Sequence, residues 1–197
     1  MHPPSRSGNS ACKRSVHKGC QRLRLLRAYS TGQVAIPAAV AHFSHALGAR
    51  FETRDYERLA TSLARMRRKH GFAVTAWVFL PDHWHAIIYP PYPLTISTVF
   101  KAVKVSSMIG INVRRRERGE LWQDRFYDHA LRTVREYNEK VAYIHWNPAK
   151  AGLVKRPEDW KWSSVHDYSG SLDAPSGKGS PIPVDRVLLP ADERARI

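Results

Sequence analysis

Cysteine is nearly absent from this chain of 197 residues, which contains only Cys12 and Cys20. These two form neither a C-x-x-C pair nor a disulfide framework, a pattern that fits a reducing cytoplasm. Long apolar runs are absent as well, since no segment approaches the roughly 20 apolar residues of a membrane span. Internal repeats are also lacking. We therefore expect no disulfide scaffold, no membrane association and no repeat architecture.

Acidic residues are scarce: 17 Asp and Glu stand against 32 Lys and Arg, and the formal net charge is +15. Such a surface attracts polyanions, nucleic acid first and anionic membranes second. A ribosomal-type or merely soluble basic protein would share this composition, because charge alone does not define a function. The first 27 residues contain no acid and superficially resemble an organelle transit peptide. Since they show no amphipathic helix, we interpret residues 1–27 as a disordered basic arm.

Helical and strand patterns alternate through the middle of the chain. We predict helices over Thr53–His70, Ser97–Arg115 and Val134–Asn147, and strands over Phe72–Leu80, His83–Tyr89 and Phe126–Arg132. Thr53 would cap the first helix and Gly71 would end it. Pro148 would end the third helix, because proline disfavours a helical conformation at the residue before it. The interleaved pattern predicts an α+β fold with an antiparallel sheet.

The flanks of this region are less informative. Residues 28–51 show no pattern that assigns them to a helix or a strand. From Ser169 the chain is rich in Gly, Ser and Pro, and we interpret 169–197 as a tail with one short apolar segment, Ile182–Leu189. The globular domain is then expected over 28–168.

His83 and His85 are two residues apart on a predicted strand, so they point to the same face. Neutral imidazoles are the commonest side-chain metal ligands. An H-x-H pair alone is weak evidence, because such histidines are often ordinary surface or core residues. Zinc would call for thiolates or a third histidine. Two imidazoles with an amide oxygen and water better suit Mg²⁺ or Mn²⁺ near phosphate.

Tyr143 and Asn147 are four residues apart on a predicted helix, so they share a face. That face lies about 100–140° away from the helix's apolar stripe, so Tyr143 is not where a core tyrosine is expected. A single tyrosine still most often packs in the core. Phenols have a pKa of about 10, and a nucleophilic tyrosine therefore needs its target phosphate polarised. A cation held by two histidines and an amide could polarise it and stabilise the leaving oxygen.

Four arginines crowd the end of the second predicted helix: Arg114, Arg115, Arg116 and Arg118. Such a charge run is most often a solvated helix end. Contact with a DNA backbone at these residues is a hypothesis that the sequence alone does not decide.

Longer motifs connect these features. The segments Leu80–His85, Leu121–His129, Tyr143–Val154 and Trp162–Ser164 occur in this order. Together they resemble the REP-associated tyrosine transposases, a branch of the single-tyrosine HUH transposases, and the resemblance runs from about Glu52 to Tyr168. It implies a ferredoxin-like α+β fold, with a central antiparallel sheet and helices on one face, and makes 28–168 a transposase domain.

The resemblance also implies a chemistry. By position, His83 and His85 match the HUH histidines, Tyr143 the nucleophile and Asn147 the third metal ligand, with Mg²⁺ or Mn²⁺ as the cofactor. The family cuts single-stranded DNA, often next to a hairpin, leaving a 5′-phosphotyrosine link and a free 3′-OH. The phosphotyrosine conserves the bond energy, so no ATP is needed. The expected setting is the bacterial cytoplasm at the nucleoid, with the protein a monomer or a homodimer.

Further residues match the family segment that leads to the Tyr143 helix: Trp122, Arg125, Phe126 and Arg132. The arginines are candidates for DNA contact. The aromatic residues could stack on bases or pack in the core, and packing is favoured.

The sequence departs from the family pattern at its start. Family members usually begin with a strand of alternating aromatic and β-branched residues, and Ala28–Phe51 shows no such alternation. A core strand could be diverged, displaced or missing, and an altered reading frame upstream of Glu52 is one explanation. The alternative function is therefore a domesticated or inactive protein that binds structured single-stranded DNA. A zinc-bound RNA-binding module is a weaker third possibility, because no cysteine joins the histidines.

Overall fold

The computed structural model of the chain describes residues 26–27, 39–44, 50–124, 126–168 and 180–188. Its elements are β1 (Leu26–Arg27), β2 (Ala39–Ser44), α1 (Thr53–His70), β3 (Ala73–Phe79), β4 (His83–Tyr89), α2 (Ile96–Arg115), β5 (Tyr127–Ala130), α3 (Val134–Lys150), a 3₁₀ turn (Pro157–Asp159), α4 (Val165–Tyr168) and β6 (Val187–Leu188). The predicted helices and strands are all present, with ends that differ by at most three residues. The predicted disordered arm, up to residue 25, lies outside the described residues.

Four strands form the central sheet, in the spatial order β3-β4-β2-β5. Each neighbouring pair is antiparallel, which confirms the predicted α+β class. α1 connects β2 to β3 and α2 connects β4 to β5. This β-α-β-β-α-β order is the one that defines the ferredoxin-like motif.

The first strand of the sheet, which the sequence did not reveal, is β2. It pairs with β4 over six positions, from Ala39 opposite Ile88 to Ser44 opposite His83, and with β5 on its other side. Backbone hydrogen bonds to both neighbours define a strand whatever its side chains are, so a strand can form without the family's usual alternation. The hypothesis of an altered reading frame thereby loses its motivation.

Helices cover both faces of the sheet, so the expectation of helices on one face is wrong for α3. α1 and α2 pack with β3 and β4 in one apolar cluster, which includes Trp77 and Trp84. α3 packs on the opposite face, where Val141 and Ile144 contact a cluster containing Val78. The physical reason is that β3 is buried along its whole length, so both of its faces need an apolar cover.

Two helix ends differ from the prediction. α1 is capped by Glu52 rather than Thr53, and Asp55 accepts a hydrogen bond from the Glu52 backbone N–H at 2.9 Å. Gly71 ends this helix as predicted, in the left-handed conformation at φ 74°. α3 continues past Pro148 to Lys150. An internal proline removes one backbone hydrogen bond, and the Ala151 N–H still reaches the Asn147 carbonyl at 2.9 Å.

Residues near the C-terminus pack onto the open edge of β3. Val74 exchanges hydrogen bonds with Asp185, whose N–H donates to the Val74 carbonyl at 2.8 Å and whose carboxylate accepts from the Val74 N–H at 2.9 Å. Ile182 and Val184 are buried in the main apolar cluster. β6 also pairs with β1. The segment predicted to be a tail therefore contains residues that pack on the sheet, and the domain boundaries at residues 27 and 168 stay predictions.

α2 is, within the described ranges, the one helix long and apolar enough to cross a membrane by length and composition, with a mean hydropathy of 1.2. A core helix of a soluble protein can pass the same test. Val99, Phe100 and Val103 are fully buried in the main apolar cluster, whereas Val105, Ile109 and Val113 of the same helix are exposed.

Candidate active site

The two histidines of β4 lie side by side at the start of the strand. A tight turn precedes them, closed by a hydrogen bond from the Leu80 N–H to the His83 carbonyl at 2.8 Å. The centres of the two rings are 4.9 Å apart, and the ring planes are nearly perpendicular at 86°. His85 is 3% exposed, whereas His83 lies closer to the surface. The predicted common face of the pair is therefore present in the structure.

Asp82 holds the ring of His83. The Asp82 Oδ1 and His83 Nδ1 atoms are 2.6 Å apart. Burial alone would raise the pKa of Asp82, but the hydrogen bond and charge of His83 outweigh it and lower that pKa. Because the carboxylate engages Nδ1, Nε2 is the ring nitrogen of His83 that a metal ion would bind.

Tyr143 reaches the histidine pair from α3. Its ring centre is 5.7 Å from that of His85, in an edge-to-face arrangement. The buried side of α3 fixes this approach, because Val141 and Ile144 pack onto the sheet. Tyr143 itself is 42% exposed, as its position away from the apolar stripe predicts. Residues far apart in sequence thus meet through one helix packed on one strand.

The donors present fit a small divalent cation. No three His, Cys, Asp or Glu side chains come together as a metal site in the described part of the chain, so two imidazoles need an amide or substrate oxygen beside them. Asn147 follows Tyr143 by one helical turn on the same face. Its Nδ2 atom is buried and has no hydrogen-bond partner. Because no bond holds that nitrogen, the amide can turn its oxygen toward a cation.

His145, on the same helix, has a structural position instead. Its Nε2 atom is 3.0 Å from the hydroxyl of Ser164, which in turn accepts a hydrogen bond from the Trp77 N–H at 2.9 Å. Burial, with a smaller contribution from the charge of His166, lowers the pKa of His145 to about 4. The neutral imidazole of His145 therefore connects α3 to the segment around Ser164, which pairs with β3 at Val78.

The sequence that carries these residues matches a known protein family. A family model described as "Transposase IS200 like" matches residues 48–147. The chain belongs to the IS200-like transposase family. It is accordingly a DNA-processing enzyme, and the resemblance seen in the sequence motifs is confirmed.

Two relatives and one solved structure support the same family. The REP-associated tyrosine transposase of Escherichia coli is 32% identical over 115 residues, which are 58% of this chain and 67% of that protein. A putative REP-associated tyrosine transposase of Haemophilus influenzae is 31% identical over 107 residues, covering 49% of this chain and 61% of that protein. The structure of a REP-associated tyrosine transposase bound to a REP hairpin matches with a TM-score of 0.61 and 25% identity, over 77% of this chain and 95% of the other.

Two of the arginines predicted to contact DNA in this transposase have a partner within the fold, and their contact with DNA stays a prediction. Arg114 and Arg115 pair with the fully buried Asp55, at N–O distances of 2.7 and 2.6 Å. Burial alone would raise the pKa of Asp55, but hydrogen bonds from Arg115, the Glu52 backbone and Arg114 lower it. The end of α2 is thereby locked to the start of α1. The sequence placed these arginines on a solvated end because it did not reveal the buried carboxylate.

The other basic candidates are placed differently. Arg116, Arg118 and Arg132 are exposed, so their predicted contact with DNA stays open, and Arg125 lies outside the described residues. The aromatic residues of the segment pack, as favoured. Trp122 is buried and donates to the Ser107 hydroxyl at 3.0 Å, and the Phe126 ring lies 4.8 Å from that of Phe100.

Three residues near Tyr143 were missed by the sequence reasoning. Lys140 and Lys150 each place an ammonium group over the Tyr143 ring, 5.6 and 5.2 Å from its centre. Trp146 is exposed one helical turn beyond Tyr143. Helical spacing could have found all three, because positions three before, three after and seven after Tyr143 lie within about 60° of it around the helix.

Proposed function

We propose that this transposase cuts and rejoins single-stranded DNA through Tyr143. The observation that carries the proposal is the meeting of the His83–His85 pair with Tyr143, in which the ring of the tyrosine contacts that of His85 at 5.7 Å. A nucleophile beside two imidazoles that could hold a cation suits phosphodiester cleavage. Tyr143 is exposed enough for a DNA strand to reach it.

The proposed reaction is a transesterification. The Tyr143 hydroxyl oxygen attacks the scissile phosphorus and loses its proton to water or a nearby base. A bond forms between Tyr143 and the 5′-phosphate, while the bond to the 3′-oxygen breaks and that oxygen leaves as a 3′-OH. Attack by another 3′-OH on the phosphotyrosine reverses the step and joins two strands. The number of phosphoester bonds does not change, so no nucleotide hydrolysis is needed.

We propose His83, His85 and Asn147 as the residues that would hold Mg²⁺ or Mn²⁺. Bound there, the cation would polarise the scissile phosphate and neutralise charge on the leaving oxygen. Asp82 orients the ring of His83 through Nδ1, and His85 is buried beside it. The amide nitrogen of Asn147 is buried without a hydrogen-bond partner, so turning the amide to present its oxygen in the third position would break no bond of that nitrogen.

We further propose hairpin-associated single strands as the substrate. The related protein of known structure is bound to a REP hairpin, and the net charge of +15 favours a polyanion. Such a substrate would place the protein at the bacterial nucleoid, acting as a monomer or a homodimer. Affinity should fall steeply with salt, because each contacted phosphate releases counterions.

A covalent-adduct assay tests the proposal. Wild type and Tyr143→Phe are incubated with end-labelled, hairpin-flanked single strands and Mn²⁺, and adducts are separated under denaturing conditions. We expect an adduct with wild type and none with Tyr143→Phe, while both bind the DNA. Tyr92→Phe is the control, because Tyr92 is 98% exposed. An adduct that survives Tyr143→Phe would refute the role of Tyr143, and binding without any adduct in wild type would favour the non-cleaving alternative.

A further inference from the structure

The nucleophile candidate is flanked by two cations on its own helix. Lys140 precedes Tyr143 by about one turn, and Lys150 follows it by about two turns. Their ammonium groups converge on the Tyr143 ring, at 5.6 and 5.2 Å from its centre. The attraction between a lysine and the face of an aromatic ring is modest at an exposed site. Attraction to the Tyr143 ring alone therefore does not explain why two lysines lie beside it.

These lysines have no acidic partner, although acidic residues lie on the same helix. Glu139 pairs with Arg135 at 2.8 Å, and Glu136 accepts a hydrogen bond from the Arg132 backbone N–H at 2.7 Å. Among the residues that the structure describes, neither Lys140 nor Lys150 forms an ion pair. Two cations without an acidic partner in the described residues therefore lie on either side of Tyr143, with Lys150 exposed and Lys140 half-buried.

An exposed indole completes this surface. Trp146 is 52% exposed and is the most exposed of the six tryptophans. It lies one turn beyond Tyr143, on the same side of α3. Exposed indoles stack well on nucleic-acid bases, because every base presents a π-face.

We propose that the face of α3 made by the half-buried Lys140 and the exposed Tyr143, Trp146 and Lys150, here called the Tyr143 face, binds the nucleotides on either side of the scissile phosphate. Lys140 and Lys150 contact phosphates, and Trp146 stacks on a neighbouring base. The inference rests on the proposed function, since it assigns the residues that position the strand. It also assigns a sequence-tolerant mode of binding, because neither phosphate contact nor base stacking reads base edges.

This binding has a mechanistic consequence. Phosphates fixed on both sides of Tyr143 would orient the scissile phosphorus toward its hydroxyl, which converts a loose encounter into a positioned attack. Lys140, Lys150 and Trp146 are thus positioning residues. The positive charges of the two lysines would also reduce the electrostatic repulsion between the phosphates and the Tyr143 oxygen as it loses its proton.

The lysines are tested by salt dependence in a Tyr143→Phe background, where binding is measured without cleavage. Replacing both Lys140 and Lys150 with Ala should reduce the slope of log affinity against log salt for a single strand by about 1.4, because each lost phosphate contact contributes about 0.7. Lys101→Ala is the matched control, since Lys101 is an exposed lysine on α2, on the opposite face of the sheet. An unchanged slope, or an equal change per lysine in the control, would overturn the phosphate assignment.

Trp146 is tested by conservative rescue in the same background. Trp146→Ala should weaken single-strand binding roughly 5- to 100-fold, whereas Trp146→Phe should retain most of the affinity. Tyr92→Ala is the control for loss of an exposed aromatic ring. Equal affinity of the Trp146→Ala and Trp146→Phe variants would contradict stacking, and a loss that does not differ from that of Tyr92→Ala would do the same.

The two proposals fail in different ways. If the wild type forms no adduct but the Tyr143 face variants lose affinity as expected, the cleavage proposal fails and the binding inference stands. If the wild type forms an adduct and these variants bind normally, the binding inference fails while the cleavage proposal stands.

Discussion

The carboxylate of Asp82 lies 2.6 Å from Nδ1 of its neighbour in sequence, His83. A histidine held in this way keeps one tautomer and one ring orientation, in which Nε2 is the nitrogen that would bind a metal ion. The turn before β4 therefore prepares the site as well as starting the strand. Asp82 itself is 62% exposed, so its main structural consequence is the placement of the ring.

Asp82→Ala is expected to weaken the binding of Mn²⁺ by the free protein about 10- to 100-fold, because outer-shell partners of metal-binding histidines have effects of this size. Isothermal titration calorimetry of the protein with Mn²⁺ measures the change. Asp82→Asn should lose less, since an amide oxygen still accepts from Nδ1. Asp124→Ala, an exposed carboxylate beside α2, should leave the affinity unchanged. Equal affinity in wild type and Asp82→Ala would refute the role of Asp82.

Asp55→Ala is expected to destabilise the fold by about 3–5 kcal/mol, because it leaves Arg114 and Arg115 without the carboxylate that pairs with both. The free energy of unfolding from urea titration is the measurement. Glu139→Ala is the control, since it breaks the exposed pair with Arg135 and should give no measurable change. A small effect of Asp55→Ala would show that the two arginines are solvated, as the sequence suggested, and would restore them as candidates for DNA contact.

Local patterns were sufficient for the elements that position the site. The alternation of β4 predicts that His83 and His85 share a face, and the helical spacing of α3 predicts that Tyr143 lies off the buried stripe. Both follow from backbone geometry within one element. The family resemblance, and not the residue patterns, predicted that α3 packs beside β4, because periodicity does not show which helix packs on which strand.

Features that depend on distant partners could not be read from the sequence. β2 is a strand because β4 and β5 supply its hydrogen bonds, and Arg114 is structural because Asp55 is buried 59 residues earlier in the chain. Likewise, the Gly- and Ser-rich composition after Tyr168 gave no indication that the segment around Asp185 packs on the edge of β3 at Val74. In each case the missing information is the identity of a long-range neighbour, which local composition does not contain.

The buried His145 predicts a specific pH dependence of stability. Its pKa in the folded protein is about 4, below the ordinary value of about 6.5, so the unfolded chain binds a proton first as the pH falls. The contribution of His145 to the free energy of unfolding is therefore complete above about pH 6.5. As the pH falls from about 6.5 to 4, the free energy of unfolding decreases by about 3 kcal/mol. Urea unfolding across this pH range measures the loss.

His145→Gln is the variant that isolates this effect. Glutamine keeps a polar atom for Ser164 but does not titrate, so its stability should fall less over the same pH range. Subtracting the free energy of unfolding of His145→Gln from that of wild type at each pH cancels the contributions of other titrating groups. Asp167, whose pKa is raised by burial, is one such group. Identical pH profiles would show that His145 does not stay neutral in the folded protein.

Asp185→Ala tests whether residues 180–186 belong to the fold. Asp185 is buried, pairs with Arg67 at 2.6 Å and accepts a hydrogen bond from the Val74 N–H at 2.9 Å. Its removal therefore takes this partner away from both the Arg67 guanidinium and the Val74 N–H. We expect a loss of about 3 kcal/mol in the free energy of unfolding. Asp159→Ala is the control, because the pair of Asp159 with Arg156 is exposed and should contribute little. If both variants were as stable as wild type, the segment would behave as the loose tail that its Gly- and Ser-rich surroundings suggest. The edge of β3 at Val74 would then be open to pairing with other strands, while Ser163 would still pair with Val78.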